Sequence, residues 1–358
     1  MIKITLPDGS GREYNSSVTA LKVAEDISPE LAEEAICAEV NNKPVDLNYP
    51  IDTDSTVVIH TFKNDKGKEV YWHSTAHLMA QAVKQLFPDV KIAIGPAIEQ
   101  GFYYDFDRDE PFTEEDLQKI ETRMKELSAK ALPYYRTELS KAEAIELFSK
   151  MDETYKLELL EDIPENEIIS SYRQGDFIDL CRGPHLPDTG KIKAIKLLRT
   201  SGAYWRGDEK NKMLKRIYGI SFPTEKELAD YLHFLEEASK RDHRKLGKDL
   251  DLFSINDEVG PGLVLWHPKG AMVRHLIETY WKEEHLKKGY QLVYTPHLGR
   301  ANLWETSGHL NFYKENMYSK MDIDGQDYYI KPMNCPFHIS IYNSSLHSYR
   351  ELPIRLAE

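Results

Sequence analysis

Apolar and polar residues alternate at the start of the chain, in MIKITLP, as they do along a strand with one buried face. The Asp8-Gly9 pair that follows has the chemistry of a hairpin turn. In VTALKVAEDI the apolar period changes from two to about 3.6, which predicts a helix, and STVVIHTF returns to a strand pattern. Strand, strand, helix and further strands within residues 1–62 predict a small β-grasp-like module. Its His60 falls in the closing strand, and Cys37, in EEAICAEV, reads as a small buried apolar residue. Nothing in the module has catalytic character, so it is expected to bind or to dock.

The polar stretch KNDKGKE, residues 63–69, marks a boundary. Beyond it, residues 63–224 mix helices and strands. HSTAHLMAQAVKQLF has helical spacing, and FTEEDLQKIETRMKELSAKALP predicts a second helix with Thr113 as N-cap and Glu114 and Glu115 in its first turn. VKIAIGPAIEQGFYYDFD predicts a hairpin, and KAIKLLRTSGAYWRGDEKNKMLKRIYGISFP predicts strand, loop, strand. Residues 225–248 read as one long connector helix with a stripe of Leu228, Tyr231, Leu232 and Leu235. Residues 249–358 open a third domain, with a helix from about Lys269 to Lys288 and a strand running into Pro296. The predicted class is α+β throughout.

Composition narrows the function. A chain of 358 residues implies two or three domains, and 41% hydrophobic residues supply them with cores. No apolar run approaches the ~20 residues of a membrane span, and the N-terminus lacks a secretory signature. Three cysteines far apart in sequence fit a reducing cytoplasm. A net charge of −13 excludes a general nucleic-acid coat, leaving one local basic cluster, Ser239 to Lys248, that either meets RNA or solvates a helix end.

Two pairs of residues carry the chemistry. His73 and His77 stand four apart in YWHSTAHLMAQAVKQLF, and Cys181 and His185 repeat the step in FIDLCRGPHLPD. On a helix, that spacing puts both imidazoles on one face. Together the four are a sound zinc set by type, but the same groups can also orient or deprotonate a water without metal. Asp179 shares a strand face with Cys181 and could fix a tautomer, and Tyr104 offers a donor. Lys156 could steady an anion, although an exposed helical lysine is the common role. The spacing alone leaves metal site, catalytic pocket and coincidence open.

GYQLVYTPHLGRANLWETSGH, KPMNCPFH and the final RELPIRLAE bring in a family. In order and along its whole length, the sequence resembles a threonyl-tRNA synthetase of the bacterial type, a class II aminoacyl-tRNA synthetase. Residues 1–62 resemble its TGS domain, and 63–224 its editing domain with the HxxxH…CxxxH signature. Residues 225–248 match the linker, and 249–358 resemble the first part of an antiparallel-sheet catalytic domain with motif 1 around Pro296. Alanyl-tRNA synthetases share the editing signature but carry it behind the catalytic core and lack a leading TGS domain.

The resemblance implies that His73, His77, Cys181 and His185 line a metal-free pocket where mischarged seryl-tRNA(Thr) is hydrolysed, with Lys156, Asp179 and Tyr104 beside them. Cys335 would be the first ligand of a zinc that holds threonine in the synthetic site. ATP and Mg²⁺ would serve the synthetic reaction, tRNA(Thr) and threonine would be its substrates, motif 1 would build a homodimer, and the enzyme would be cytoplasmic. Zinc bound through amine and hydroxyl rejects valine, whereas serine differs from threonine by a methyl worth only ~1–3 kcal/mol, so a second, hydrolytic sieve is needed. RELPIRLAE stands where motif 2 begins. The expectation is therefore an N-terminal portion whose editing block is complete and whose synthetic site is not, with Cys335 unable to hold zinc alone.

Overall fold

The computed structural model describes residues 1–165 and 167–358. It divides into two compact units, Met1–Glu237 and Ala238–Glu358.

The first unit begins with β1 (Ile2–Thr5) and β2 (Gly11–Tyr14), a hairpin as the alternation predicts. β3 (Val18–Thr19) leads into α1 (Ala20–Ile27), whose N-cap Thr19 accepts from the Lys22 amide at 3.2 Å. Then come α2 (Pro29–Glu34), β4 (Ala35–Val40), β5 (Lys43–Val45), β6 (Pro50–Ile51) and β7 (Ser55–Thr61). The sheet order is β2-β1-β7-β4-β5, with β1 and β7 parallel and its other pairs antiparallel, while β3 and β6 pair separately. Ile4, Val23 and Val57 fill the space beneath the helix.

The polar stretch after β7 is helical from Asp65. It is the cap and first turn of α3 (Asp65–Leu86). Asn64 accepts from the Gly67 amide at 2.9 Å, and a Cβ at Gly67 would sit 1.9 Å from the Thr61 carbonyl oxygen, so the helix leaves the strand in a turn only glycine permits. Helix starts are polar because their free amides need acceptors, and composition alone does not separate them from linkers. Cys37 and Ile36 of β4 belong to the same apolar cluster as α3, so module and following domain share a core.

That domain continues with β8 (Lys91–Ile92), β9 (Ala97–Ile98), β10 (Gly101–Asp107), α4 (Glu114–Ala129), β11 (Tyr134–Leu139), α5 (Lys141–Lys150) and α6 (Thr154–Glu161). Next are β12 (Ile169–Gln174), β13 (Phe177–Leu180), β14 (Ala194–Tyr204), β15 (Met213–Phe222) and α7 (Glu225–Lys240). Thr113 caps α4 in a capping box with Asp116. One antiparallel sheet runs β14-β15-β10-β8, with β9 also on β10, and a second runs β11-β12-β13. Helix α3 is buried almost without break from Val70 to Val83, and its alanines at 76, 80 and 82 let neighbours approach closely.

Leu228 is buried, and Tyr231 and Leu232 pack on the same core, so the start of α7 is bound to the first unit. The single connector helix expected over 225–248 is interrupted. Asp242 takes up the amide of Arg244 at 2.8 Å and starts a new helix, α8 (His243–Asp249). A short acidic side chain that competes for backbone amides ends one helix and caps the next.

In the second unit, β16 (Phe253–Ser254) pairs β17 (Leu265–Trp266), followed by α9 (Pro268–Lys287). β18 is only Gln291–Leu292, shorter than the strand expected into Pro296, and runs parallel to β22 (Leu356–Ala357). β19 (Leu298–Arg300), β20 (Met321–Ile323) and β21 (Gln326–Ile330) form an antiparallel sheet accompanied by α10 (Ala301–Thr306), α11 (His309–Phe312) and α12 (Cys335–Tyr342). Leu276, Ile277 and Tyr280 of α9 are more than 60% exposed. Among the described residues, no helix is long and apolar enough to cross a membrane.

Candidate functional site

Helix α3 carries His73 and His77 on one face, ring centroids 4.8 Å apart. The loop leaving β13 brings Cys181 and His185 to the same place. One nitrogen or sulfur from each of the four lies within 4.8 Å of all the others, a constellation able to hold a metal ion.

Hydrogen bonds set the imidazole tautomers. A carbonyl only accepts, so His73 Nδ1 donates to the Gly95 oxygen at 3.1 Å, and its Nε2 accepts from the Cys181 thiol at 2.9 Å. The Ser74 hydroxyl donates to the Val70 carbonyl at 2.8 Å and accepts from Leu186 N at 3.0 Å. His185 Nδ1, 3.0 Å from the same oxygen, must therefore be the donor. His185 Nε2 then faces Cys181 Sγ at 3.3 Å, and the Gly183 amide donates to that sulfur at 3.2 Å. Burial holds all three imidazoles below their ordinary value of 6.5, and at His77 and His185 the neighbouring rings add to it. Burial also pushes the Cys181 thiol up to about 12. The cluster is uncharged at neutral pH.

Beside it stands a trio of one ion pair and a phenol. Lys156, on α6, is not an exposed helical lysine: it is 2% exposed, with Nζ 2.5 Å from Oδ1 of Asp179, itself 2% exposed. Tyr104, on β10, donates to the other carboxylate oxygen at 2.6 Å, and Lys156 Nζ lies 3.1 Å from the Tyr104 hydroxyl. Burial, reinforced by the Asp179 carboxylate, holds the Tyr104 phenol well above its usual range. His77 Nδ1 is 3.7 Å from Asp179 Oδ2, which ties trio to cluster.

Four residues here went unpredicted. Ser74 fixes the His185 tautomer. Tyr134 stacks on His185 at 4.9 Å with an interplanar angle of 3°, its hydroxyl donating to the Ser74 carbonyl. Tyr172 packs its ring 4.4 Å from His185, and Asp46 of the first module reaches the back of the loop. Ser74 lies inside the stretch that drew notice, but as a serine among alanines it gives no signal of its own. A cavity of about 540 Å³ borders His73 and is also lined by Glu39 and His60 of the first module and Lys66 of α3.

Cys335 belongs to the second unit. It opens α12, is exposed, and belongs to no group of three or more metal-ligating side chains among the described residues. A four-ligand zinc does not fit this cysteine with the residues around it.

Residues 2–61 match the TGS domain, and residues 169–218 match the threonyl and alanyl tRNA synthetase second additional domain. The first unit thus carries a TGS domain joined to the editing-type domain of such synthetases. The chain is 56% identical to the threonine--tRNA ligase of Carboxydothermus hydrogenoformans over 358 residues, 100% of this chain and 56% of that protein. The enzymes of the same name from Caldanaerobacter subterraneus subsp. tengcongensis and Nitrosococcus oceani are 56% and 54% identical, with 99% of this chain and 55% of each relative covered. Along its whole length the chain is similar to threonine--tRNA ligases, and it spans about half the length of the relatives it matches.

Proposed function

We propose that the cluster of His73, His77, Cys181 and His185, with Lys156, Asp179 and Tyr104, hydrolyses serine wrongly esterified to tRNA(Thr), in a threonine–tRNA ligase of which this chain is a part. The carrying observation is the convergence of both four-residue pairs on one buried, uncharged cluster with a single ion pair beside it. An aminoacyl ester needs a base for the attacking water and donors for the oxyanion that forms. Neutral imidazoles suit the first task. The Lys156 ammonium, with three protons, suits the second, while the Tyr104 hydroxyl gives its one proton to Asp179 and holds that carboxylate in place. Asp179 offers an acceptor for the substrate's α-ammonium.

This reading needs no metal. Cys181 and His73 already exchange a proton-bearing contact, and the outer nitrogens of His73 and His185 have partners. A second reading, a structural zinc in a module that binds tRNA or protein, is favoured by the mutual approach of the four ligand atoms. For the whole enzyme, the reading adds threonine, ATP and Mg²⁺ as partners of the synthetic reaction, a zinc for which Cys335 supplies one ligand, and a cytoplasmic location. It also adds a homodimer, supported by the exposed apolar residues of α9, which need a covering surface.

The test is release of serine and of threonine from charged tRNA(Thr) by this chain, with and without chelator. Loss of serine alone, indifferent to chelator, is expected. No hydrolysis, together with one tightly held zinc per chain, would replace this reading with the second.

A further inference from the structure

The loop from Cys181 to His185 must hold two of the four cluster residues at fixed separation. Gly183 in it has φ +71°, and a Cβ there would lie 2.0 Å from the Tyr172 hydroxyl. Glycine adopts that φ without strain and has no side chain to pack, so the loop's shape depends on the contacts around it. The editing-type domain supplies part of that constraint through Ser74 and Tyr134. The rest comes from the TGS domain. Oδ1 of Asp46 accepts from the His185 backbone amide at 2.8 Å, and Oδ2 accepts from the Tyr172 hydroxyl at 2.9 Å. One carboxylate thus grips the main chain of His185 and the aromatic ring that packs against its imidazole.

Asp46 is itself mounted firmly. It follows β5, and the next residue, Leu47, is 3% exposed in the TGS core and accepts from the Leu21 amide at 2.8 Å. Any displacement of the TGS domain would therefore be felt at His185. The carboxylate's two donors are both neutral groups, an arrangement that spends a desolvated charge on geometry rather than on an ion pair.

Resting on the editing reading above, we infer that Asp46 is a positioning residue for His185 and that the TGS domain is a working part of the hydrolytic site. Asp46 touches no reacting atom. It acts by fixing where the imidazole of His185 stands.

The experiment compares wild type, Asp46→Ala and Asp46→Asn in the full chain, using tRNA(Thr) charged with serine. A misplacement of about 1 Å in a working group can cost on the order of 100-fold, so a loosened His185 is expected to lower activity by roughly 10- to 100-fold. That loss is expected in kcat for D46A, with KM held within about twofold because the substrate-facing surface is intact. Asparagine keeps an acceptor for the His185 amide and a partner for Tyr172, so D46N is expected to recover most of the turnover. In ¹⁵N-histidine-labelled chain, the His185 amide and ring signals should move in D46A and stay near their wild-type positions in D46N.

Equal turnover in D46A and wild type, or a D46N as slow as D46A, would overturn the inference. So would unmoved His185 signals in D46A. If the wild type releases no serine, the editing reading falls while the histidine spectra still decide whether Asp46 positions His185. Should D46A fail to fold, Tyr172→Phe, which removes only the hydroxyl Asp46 holds, carries the same test with a smaller expected loss.

Discussion

Replacing Lys156 with methionine would remove the cation that faces Asp179 at 2.5 Å while keeping the length and most of the volume of the side chain. At an effective dielectric of ~20, a pair at that separation attracts by about 6–7 kcal/mol. Taking both ions out of water costs several kcal/mol each, so the intact pair is worth little on balance. The single substitution is another matter, since it leaves a carboxylate buried without its cation. Such a break costs about 3–5 kcal/mol. The lower end applies here, because Asp179 keeps the Tyr104 hydroxyl at 2.6 Å and the Leu180 amide at 2.8 Å.

The expected loss for K156M is therefore about 3 kcal/mol, read as a fall of roughly 1 M in the urea midpoint of the first unit. D179N leaves the ammonium buried instead and should lose a similar amount. The double variant K156M/D179N removes both charges and should be more stable than either single, with a coupling of at least ~2 kcal/mol. Deacylation should be lost in all three. If K156M costs under about 1 kcal/mol, or if the two singles simply add, the trio is not coupled as the distances imply.

Gly183→Ala should abolish deacylation and lower stability by about 2 kcal/mol or more, since the new methyl meets the Tyr172 hydroxyl and φ +71° strains any L side chain. Circular dichroism with the same midpoint would contradict it. Stability should also fall as pH drops through and below 6.5, the ordinary imidazole value from which His73, His77 and His185 are depressed. In that window the unfolded chain binds protons the folded cluster refuses, with a slope of up to about 1.4 kcal/mol per pH unit for each histidine. Above 6.5 the contribution is complete. A urea midpoint that stays flat from pH 7.5 to 5.5, or no flattening in His77→Asn, would count against buried neutral rings. Asn64→Ala should cost about 1 kcal/mol by uncapping α3, and no change in midpoint would mean that Gly67 finds another acceptor.

The β-grasp hairpin, the capped helix at Thr113 and the long β14–β15 ribbon were readable because each rests on local chemistry: alternation, a turn dipeptide, a cap. The start of α3 is not legible in the sequence for the same reason, since a helix cap and a linker share a composition. At the site, His73 and His77 were legible by helical spacing and Cys181 by the scarcity of cysteine. Lys156 was carried by resemblance, because nothing in DETYKLELL distinguishes a buried lysine from a solvated one. Asp46 gave no signal at all. In NNKPVDLNYP it has the form of a turn aspartate, and its partner amide is 139 residues away.

Three of the four residues that look most like a zinc set, His73, Cys181 and His185, have other hydrogen-bond partners. Gly95 and Ser74 take the outer nitrogens of His73 and His185, which aims their Nε2 atoms inward. That is what metal ligands require, and equally what a water-orienting pocket requires. The difference lies in the sulfur. Cys181 shares a proton with His73 and accepts from the Gly183 amide, so a zinc would have to expel that proton and replace a contact already formed at 2.9 Å. The loop is held in this state from outside the cluster, by Asp46 and Tyr172, rather than by a central ion. Here the support is the neighbouring domain, so under the proposed hydrolysis the loop needs no central ion to keep His185 in place.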